Sequence, residues 1–246
     1  MKSLGGEALA GAALVAGRCL AGDRRYALLP GAPGAPRPEA GWRPKSRCIA
    51  LFRHASAARL AARYDDARGL LSLSAGGREI ARGVPEIADD RARLEAAAAG
   101  MLRADAPGGV DLVAAGAHGD GTEGAMTDVD GPYVSLVNLG SVAALEEALD
   151  APVDALRFRA NFHVEGVPAW AERDWVGRVL KAGGARLEIV EPIERCAAIE
   201  VNPASAMRDL RALRGLADRF GHVEMGVYAR VVAGGPVAPG LALGWA

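Results

Sequence analysis

Apolar runs in this chain are short, mostly of strand length, and glycine or proline separates one from the next. That spacing excludes long helices over most of the chain and forces frequent reversals. The runs RRYALLP (24–30), RCIALF (47–52) and GLLSLS (69–74) read as strands, and so do GVDLVAAGA (109–117) and YVSLVNLG (133–140). Downstream, ALRFRANFHVEG (155–166), ARLEIVE (185–191), CAAIEV (196–201) and MGVYARVV (225–232) read the same way. Ala75-Gly76-Gly77 supplies turn chemistry for a hairpin across 69–83. Residues 30–41, with four prolines among glycines and alanines, form a surface loop. Helices are expected at 89–105, which opens on acids and closes on Arg103, and at 141–150 with Ser141 as N-cap. The Gly/Asp-rich segment 118–131 is a loop. Strands and helices do not alternate regularly, so a doubly wound parallel sheet is excluded. The expected class is α+β, mainly β with some helices, built as a closed or nearly closed barrel.

Composition narrows the function. The 246 residues can bury a sizeable core without disulfide staples. Formal charge is −1, from 29 Lys plus Arg against 30 Asp plus Glu, and no basic block interleaved with aromatics is present, so nucleic acid is not expected as a partner. The mean hydropathy of +0.09 suits an ordinary soluble protein, with no membrane span expected. Cys19, Cys48 and Cys196 are odd in number and widely spaced, with no C-x-x-C and no paired histidines. That pattern fits a reducing, cytoplasmic setting rather than a disulfide framework or a zinc site. Glu7 interrupts the N-terminal apolar stretch, so no secretory signal is expected.

Two stretches carry candidate chemistry. Read with period two, RFRANFHV puts Phe158, Ala160, Phe162 and Val164 on one face and Arg157, Arg159, Asn161 and His163 on the other. The polar face is either a solvated strand side or a comb of donors suited to an anion. In IERCAAIEVNP (193–203), Cys196 follows Arg195. A cysteine beside alanines is commonly a small buried hydrophobe. Next to an arginine it is equally a thiolate able to bind a soft metal or attack an electrophile.

Taken in order, MKSLGGE, GDRRYALL, TDVDGPYVSL, LRFRANFHVEG, IERCAAIEVNP and FGHVEMGVYARVVAGG resemble the MOSC family, and within it the branch of the mitochondrial amidoxime-reducing component and its bacterial relatives. The resemblance implies a β-rich MOSC-associated domain over 1–88 and a MOSC β-barrel domain over 89–246. It implies a molybdenum cofactor, Mo-molybdopterin, with Cys196 as the protein's ligand to the metal; pyridoxal phosphate is not expected. Lys2 and Ser3 (the K-S pair), Arg24, Arg159, Asn161 and Arg195 would hold the pterin and its phosphate. Asp128, Val129, Asp130 and Gly131 lie in the loop that approaches the cofactor, with Asp128 or Asp130 as proton-transfer candidates. Glu194 departs from the family, which has a small hydroxyl residue there, and a carboxylate beside a phosphate must turn away from it. The sequence starts at the K-S pair, so the strand that precedes it in relatives is expected either to be absent or to lie upstream of this start.

The activity implied is two-electron reduction of an N-hydroxylated small molecule. With no cysteine cluster for an iron–sulfur domain, a separate electron donor of ferredoxin, cytochrome b5 or flavoprotein type is implied. A monomer is the simplest assembly. The alternatives are a sulfur-transfer protein carrying a cysteine persulfide, a carrier that delivers the cofactor without turnover, or a barrel that binds nothing.

Overall fold

Glycine permits the tight reversal between residues 75 and 78, because Gly76 and Gly77 take φ of +54° and +76°, angles that side chains disfavour. The computed structural model describes every residue except 33, 117–123 and 130. In chain order the strands are β1 (Ala12–Leu14), β2 (Tyr26–Pro30), β3 (Leu60–Asp65), β4 (Leu70–Ala75), β5 (Arg78–Gly83), β6 (Val110–Ala114) and β7 (Tyr133–Asn138). They continue with β8 (Phe162–Val164), β9 (Val179–Ala182), β10 (Ala185–Glu194), β11 (Glu224–Ala233), β12 (Gly235–Val237) and β13 (Leu243–Trp245). The α-helices among the described residues are α1 (Ala88–Met101), α2 (Leu139–Leu149) and α3 (Ala212–Phe220). The class is mainly β with helices, as the spacing of runs and turns demands. No described helix is long and apolar enough to cross a membrane.

Two compact units share the chain. The first takes Met1–Glu7, Gly22–Gly131 and Pro203–Met207, and the second Ala8–Ala21, Pro132–Asn202 and Arg208–Ala246. The domain boundary drawn from the sequence, 88/89, falls at the start of α1 within the first unit.

In the first unit β3, β4 and β5 form an antiparallel sheet and β2 pairs antiparallel with β6. Helix α1 buries Leu94 and Ala98, and its Glu95 carboxylate accepts the Leu112 N–H of β6 at 2.7 Å, tying helix to strand. The run 47–52 is not a strand. A 3-10 turn, Lys45–Arg47, leads into buried Cys48, Ile49, Ala50 and Leu51, which fill the core as an irregular segment tied to β2 by a backbone bond from Ile49 N to Leu28 O at 2.7 Å. An apolar run of six is buried in either conformation, so periodicity could not separate them.

The second unit is built on a six-stranded sheet, ordered β13-β9-β10-β11-β7-β8, which curls into a half-barrel with β13 and β8 as its edges. Only the β7–β8 pair is parallel. Leu187 and Ile189 of β10 and Val227, Ala229 and Val231 of β11 alternate into one apolar core with Val134, Leu136 and Trp175. A second core joins Val142, Leu145, Phe158, Ile199, Leu216 and Met225 under α2 and α3.

Three local expectations fail in this unit. Residues 155–166 form a 3-10 turn, Ala155–Phe158, then a left-handed Arg159, and only Phe162–Val164 is strand; the comb of donors is therefore not formed, and Arg157 is buried at 5% exposure. Residues 196–201 hold a 3-10 turn, Ala197–Glu200, instead of a strand. The N-cap of α2 is Asn138, whose side chain accepts from Gly140 N at 2.9 Å. Ser141 is instead buried and donates to the equally buried Glu172 at 2.7 Å.

Gly226 has φ of +77°, and a Cβ there would stand 2.2 Å from the Leu136 carbonyl oxygen, whereas a Cβ at Gly77 would meet open space. Gly77→Ala should therefore lose about 1 kcal/mol from backbone strain alone, and Gly226→Ala about 3 kcal/mol, since the clash adds to the strain. Urea midpoints of the two variants should separate accordingly; equal losses would mean that β7 yields to the methyl group.

Candidate functional site

Strand β10 ends at Glu194, and the next two residues leave the sheet in a fixed order. Arg195 N donates to Val223 O at 2.8 Å, its Nε donates to Met225 O at 2.7 Å, and its Nη1 donates to Phe158 O at 2.9 Å. Its guanidinium also lies 5.5 Å from the centre of the Phe158 ring. Arg195 is thus a latch between β11 and the turn before Arg159. Cys196 follows in extended conformation (φ −126°, ψ 175°), half-buried, as N-cap of the Ala197–Glu200 turn. Glu194 is exposed while Ile193 is buried, so the carboxylate points to solvent, as the alternation of a strand requires. An open groove of about 720 Å³ is bordered by Pro192, Trp170, Arg173, Asp174 and Glu224, the last being the register partner of Glu194, and none of Arg159, Asn161, Arg195 and Cys196 lines it.

Arg159 and Asn161 sit on the other side of the Phe158 turn. Arg159 adopts φ of +54°, a left-handed conformation uncommon for a side-chain-bearing residue. Asn161 fastens the start of β8 to β7: its Oδ1 accepts from Ser135 N at 2.9 Å and Ser135 Oγ at 3.0 Å, and its own N–H donates to Ser135 O at 2.9 Å.

The first unit holds the remaining sequence candidates. Lys2 is 3% exposed, and its Nζ donates to Met126 O at 2.7 Å, Thr127 O at 2.9 Å and the Asp128 carboxylate at 2.7 Å. All three ammonium N–H groups are taken by the chain itself, so as placed Lys2 anchors the 126–128 loop and has none left for a phosphate. Burial pushes its pKa down, with Asp128 opposing. Burial would raise the Asp128 carboxyl, but the charge and hydrogen bond of Lys2, with Arg24 and Lys45, outweigh it and hold the pKa at about 2. Arg24 receives Met126 N at its carbonyl (2.8 Å) and pairs with Asp23. Ser3 is buried, Val129 half-buried and Gly131 buried; Asp130 lies outside the described residues. Cys48 belongs to the core, and burial pushes its thiol up, which suits an inert hydrophobe.

Backbone strain marks the same residues independently. Among the described residues six non-glycines hold positive φ, and Ser3, Arg24 and Arg159 are three of them. Such strain persists where tertiary contacts over-determine it, which is common at binding sites. No group of three or more His, Cys, Asp or Glu side chains able to hold a metal ion is present among the described residues.

Residues 125–243 match the sequence profile of the MOSC domain family. Over that stretch, just under half of its length, the chain carries a MOSC domain. The matched stretch contains Cys196, Arg195, Arg159 and Asn161, and also Asp128. Among solved structures, the crystal structure of YiiM from Geobacillus stearothermophilus is 23% identical over 46% of this chain and 53% of that one, with a TM-score of 0.36. No curated protein matches the chain. Within the MOSC domain, the sequence reading missed Arg157, which periodicity grouped with the exposed donors, and Asp209, its partner 52 residues away. No local signal links the two.

The Lys2–Asp128 pair has a pH signature. Because the native Asp128 pKa of about 2 lies below that of an unfolded aspartate, the pair favours the folded state above about pH 4 and loses that contribution as pH falls toward about 2. Asp128→Asn should flatten this part of the stability profile while leaving the neutral-pH fold in place. Urea midpoints between pH 2 and pH 5 should show it, and an unchanged slope in the variant would exclude the pair as the titrating group.

Proposed function

We propose that this MOSC domain protein binds a molybdenum cofactor through the Cys196 thiolate and reduces N-hydroxylated small molecules with electrons from a separate donor protein. One observation carries the reading: Cys196 stands half-buried at the end of β10, inside the MOSC domain, on a backbone latched by Arg195 immediately before it. MOSC domains are generally associated with molybdenum cofactor binding. The donor type fits, since a soft thiolate suits a metal that brings further sulfur donors with it. When bound, the cofactor supplies the two-electron redox chemistry that no side chain can.

The residues of the second unit have separable tasks. Cys196 holds the metal. Arg159, left-handed at the end of its turn, presents a guanidinium to an anionic group, and Asn161 fixes that turn against β7. Arg195 sets the backbone of Cys196 through Met225 and Phe158. In the first unit, Asp128 is ionised at neutral pH and, with a pKa of about 2, is too weak a base to take up a proton there, so its task is to hold Lys2 and the loop.

The test is to express the chain in a molybdenum-replete host that makes the cofactor, then to measure molybdenum, pterin and sulfane sulfur per protein for the wild type and Cys196→Ser. Near-stoichiometric metal and pterin in the wild type, metal lost in the variant, and reduction of an N-hydroxy compound with a chemically reduced dye are expected. Sulfane sulfur on Cys196 without metal would favour sulfur transfer, and cofactor exchange without turnover a carrier. A folded wild type that takes up neither metal nor pterin would overturn the reading.

A further inference from the structure

One dipeptide grips the Cys196 turn at both ends. Ahead of the cysteine, the Phe158 carbonyl accepts from Arg195 Nη1 at 2.9 Å. Beyond it, Arg157 Nη1 donates to Glu200 O at 3.1 Å, the last carbonyl of the 3-10 turn that Cys196 caps. Arg208 Nη1 takes the first carbonyl of that turn, Ala197 O, at 2.7 Å. A four-residue 3-10 turn has too few internal bonds to hold its own geometry, and a cation against its C-terminal carbonyls compensates.

We propose that Arg157 is a positioning residue for the Cys196 thiol, and that Asp209 is the carboxylate that keeps Arg157 in place. Its functional meaning rests on Cys196 being the metal ligand; the clamp itself concerns the thiol alone.

The energetics favour this over a role in core stability. The Arg157 side chain is 3% exposed and bonded to Asp209 Oδ1 at 2.7 Å, and its Nε is buried without an acceptor among the described residues. An arginine so buried is a poor filler, since a hydrophobic side chain of similar volume commonly stabilises as well or better. What only arginine provides is a planar fork that reaches the Glu200 carbonyl and the Asp209 carboxylate at once. Asp209 is anchored in turn by the Asn202 amide on its other oxygen. Burial would raise the Asp209 carboxyl, but the hydrogen bonds from Asn202 and Arg157 hold it below the ordinary range.

The three cysteines make the clamp measurable without metal. In the metal-free full chain, iodoacetamide alkylation rates are read cysteine by cysteine by mass spectrometry, for the wild type, Asp209→Asn and Arg157→Met. Cys19 lies in the same unit as Cys196 and serves as the internal reference. Asp209→Asn removes the charge without changing volume, and Arg157→Met keeps the apolar stem, so both variants should fold. Cys196 should react roughly tenfold faster in each, the size expected from losing one charge-assisted hydrogen bond, with Cys19 unchanged. The proposal is overturned if the Cys196 rate stays within about twofold of wild type in both, or if Cys19 accelerates by the same factor, which would mark general destabilisation. Molybdenum content is then compared in cofactor-loaded protein. If the wild type itself binds no metal, the function proposed above fails while the alkylation result still decides the clamp.

Discussion

The antiparallel ladder between β10 and β11 is the constraint on which the rest of the second unit depends. Its strands run ten residues each, and the pairing shifts register between Arg186 and Leu187, between Ile189 and Glu191, and between Pro192 and Glu194. Each shift bends and twists the pair, which lets a sheet this size curl and aims the residues after it. The last leaves Arg195 beside Gly226, where no side chain blocks the guanidinium from the Met225 carbonyl. The apolar alternation of Leu187, Ile189, Val227, Ala229 and Val231 keeps the register from slipping, because a one-residue shift would turn all of them to the other face. The position of Cys196 is thus a consequence of core packing several residues upstream.

The charged candidate residues of each unit mostly hold the backbone. Lys2 is fully occupied by three oxygens of the 126–128 loop, and Arg195 and Arg157 both donate to carbonyls that end turns. Such contacts are costly to break, since a buried donor or acceptor left alone loses its solvation without compensation. They also explain how Ser3, Arg24 and Arg159 stay left-handed: the local strain is offset by hydrogen bonds formed elsewhere in their own units. Rigid supports of this kind suit the ligand role proposed for Cys196, because a metal site tolerates little error in donor position.

The sequence made the local features legible and the distant ones illegible. The Gly76-Gly77 hairpin, the acid-first start of helix α1 and the alternating strands β10 and β11 depend on neighbours within a few residues, and each stands where periodicity and turn chemistry place it, although α1 ends at Met101, short of the Arg103 expected to close it. The run 155–166 misleads because its alternation is genuine while its most informative residue is not exposed: Arg157 turns inward to a carboxylate 52 residues away. Ser141 and Asn138 are both good capping residues, and a buried Glu172 engages both: it takes the Ser141 hydroxyl, and it holds the Asn138 amide N–H so that the Asn138 oxygen is left to cap.

By itself the sequence determined the mainly-β class, the places where the chain turns, and the ordered motifs that mark a MOSC domain with a cysteine directly after an arginine. Those are properties of side-chain type and short-range spacing, which survive without knowing any long-range contact. Only the tertiary structure decided which polar groups are taken up inside the protein and which face outward. The reason is physical: a lysine or arginine goes wherever its hydrogen bonds can be completed, and for Lys2, Arg157 and Arg195 the completing oxygens lie 30 or more residues away along the chain.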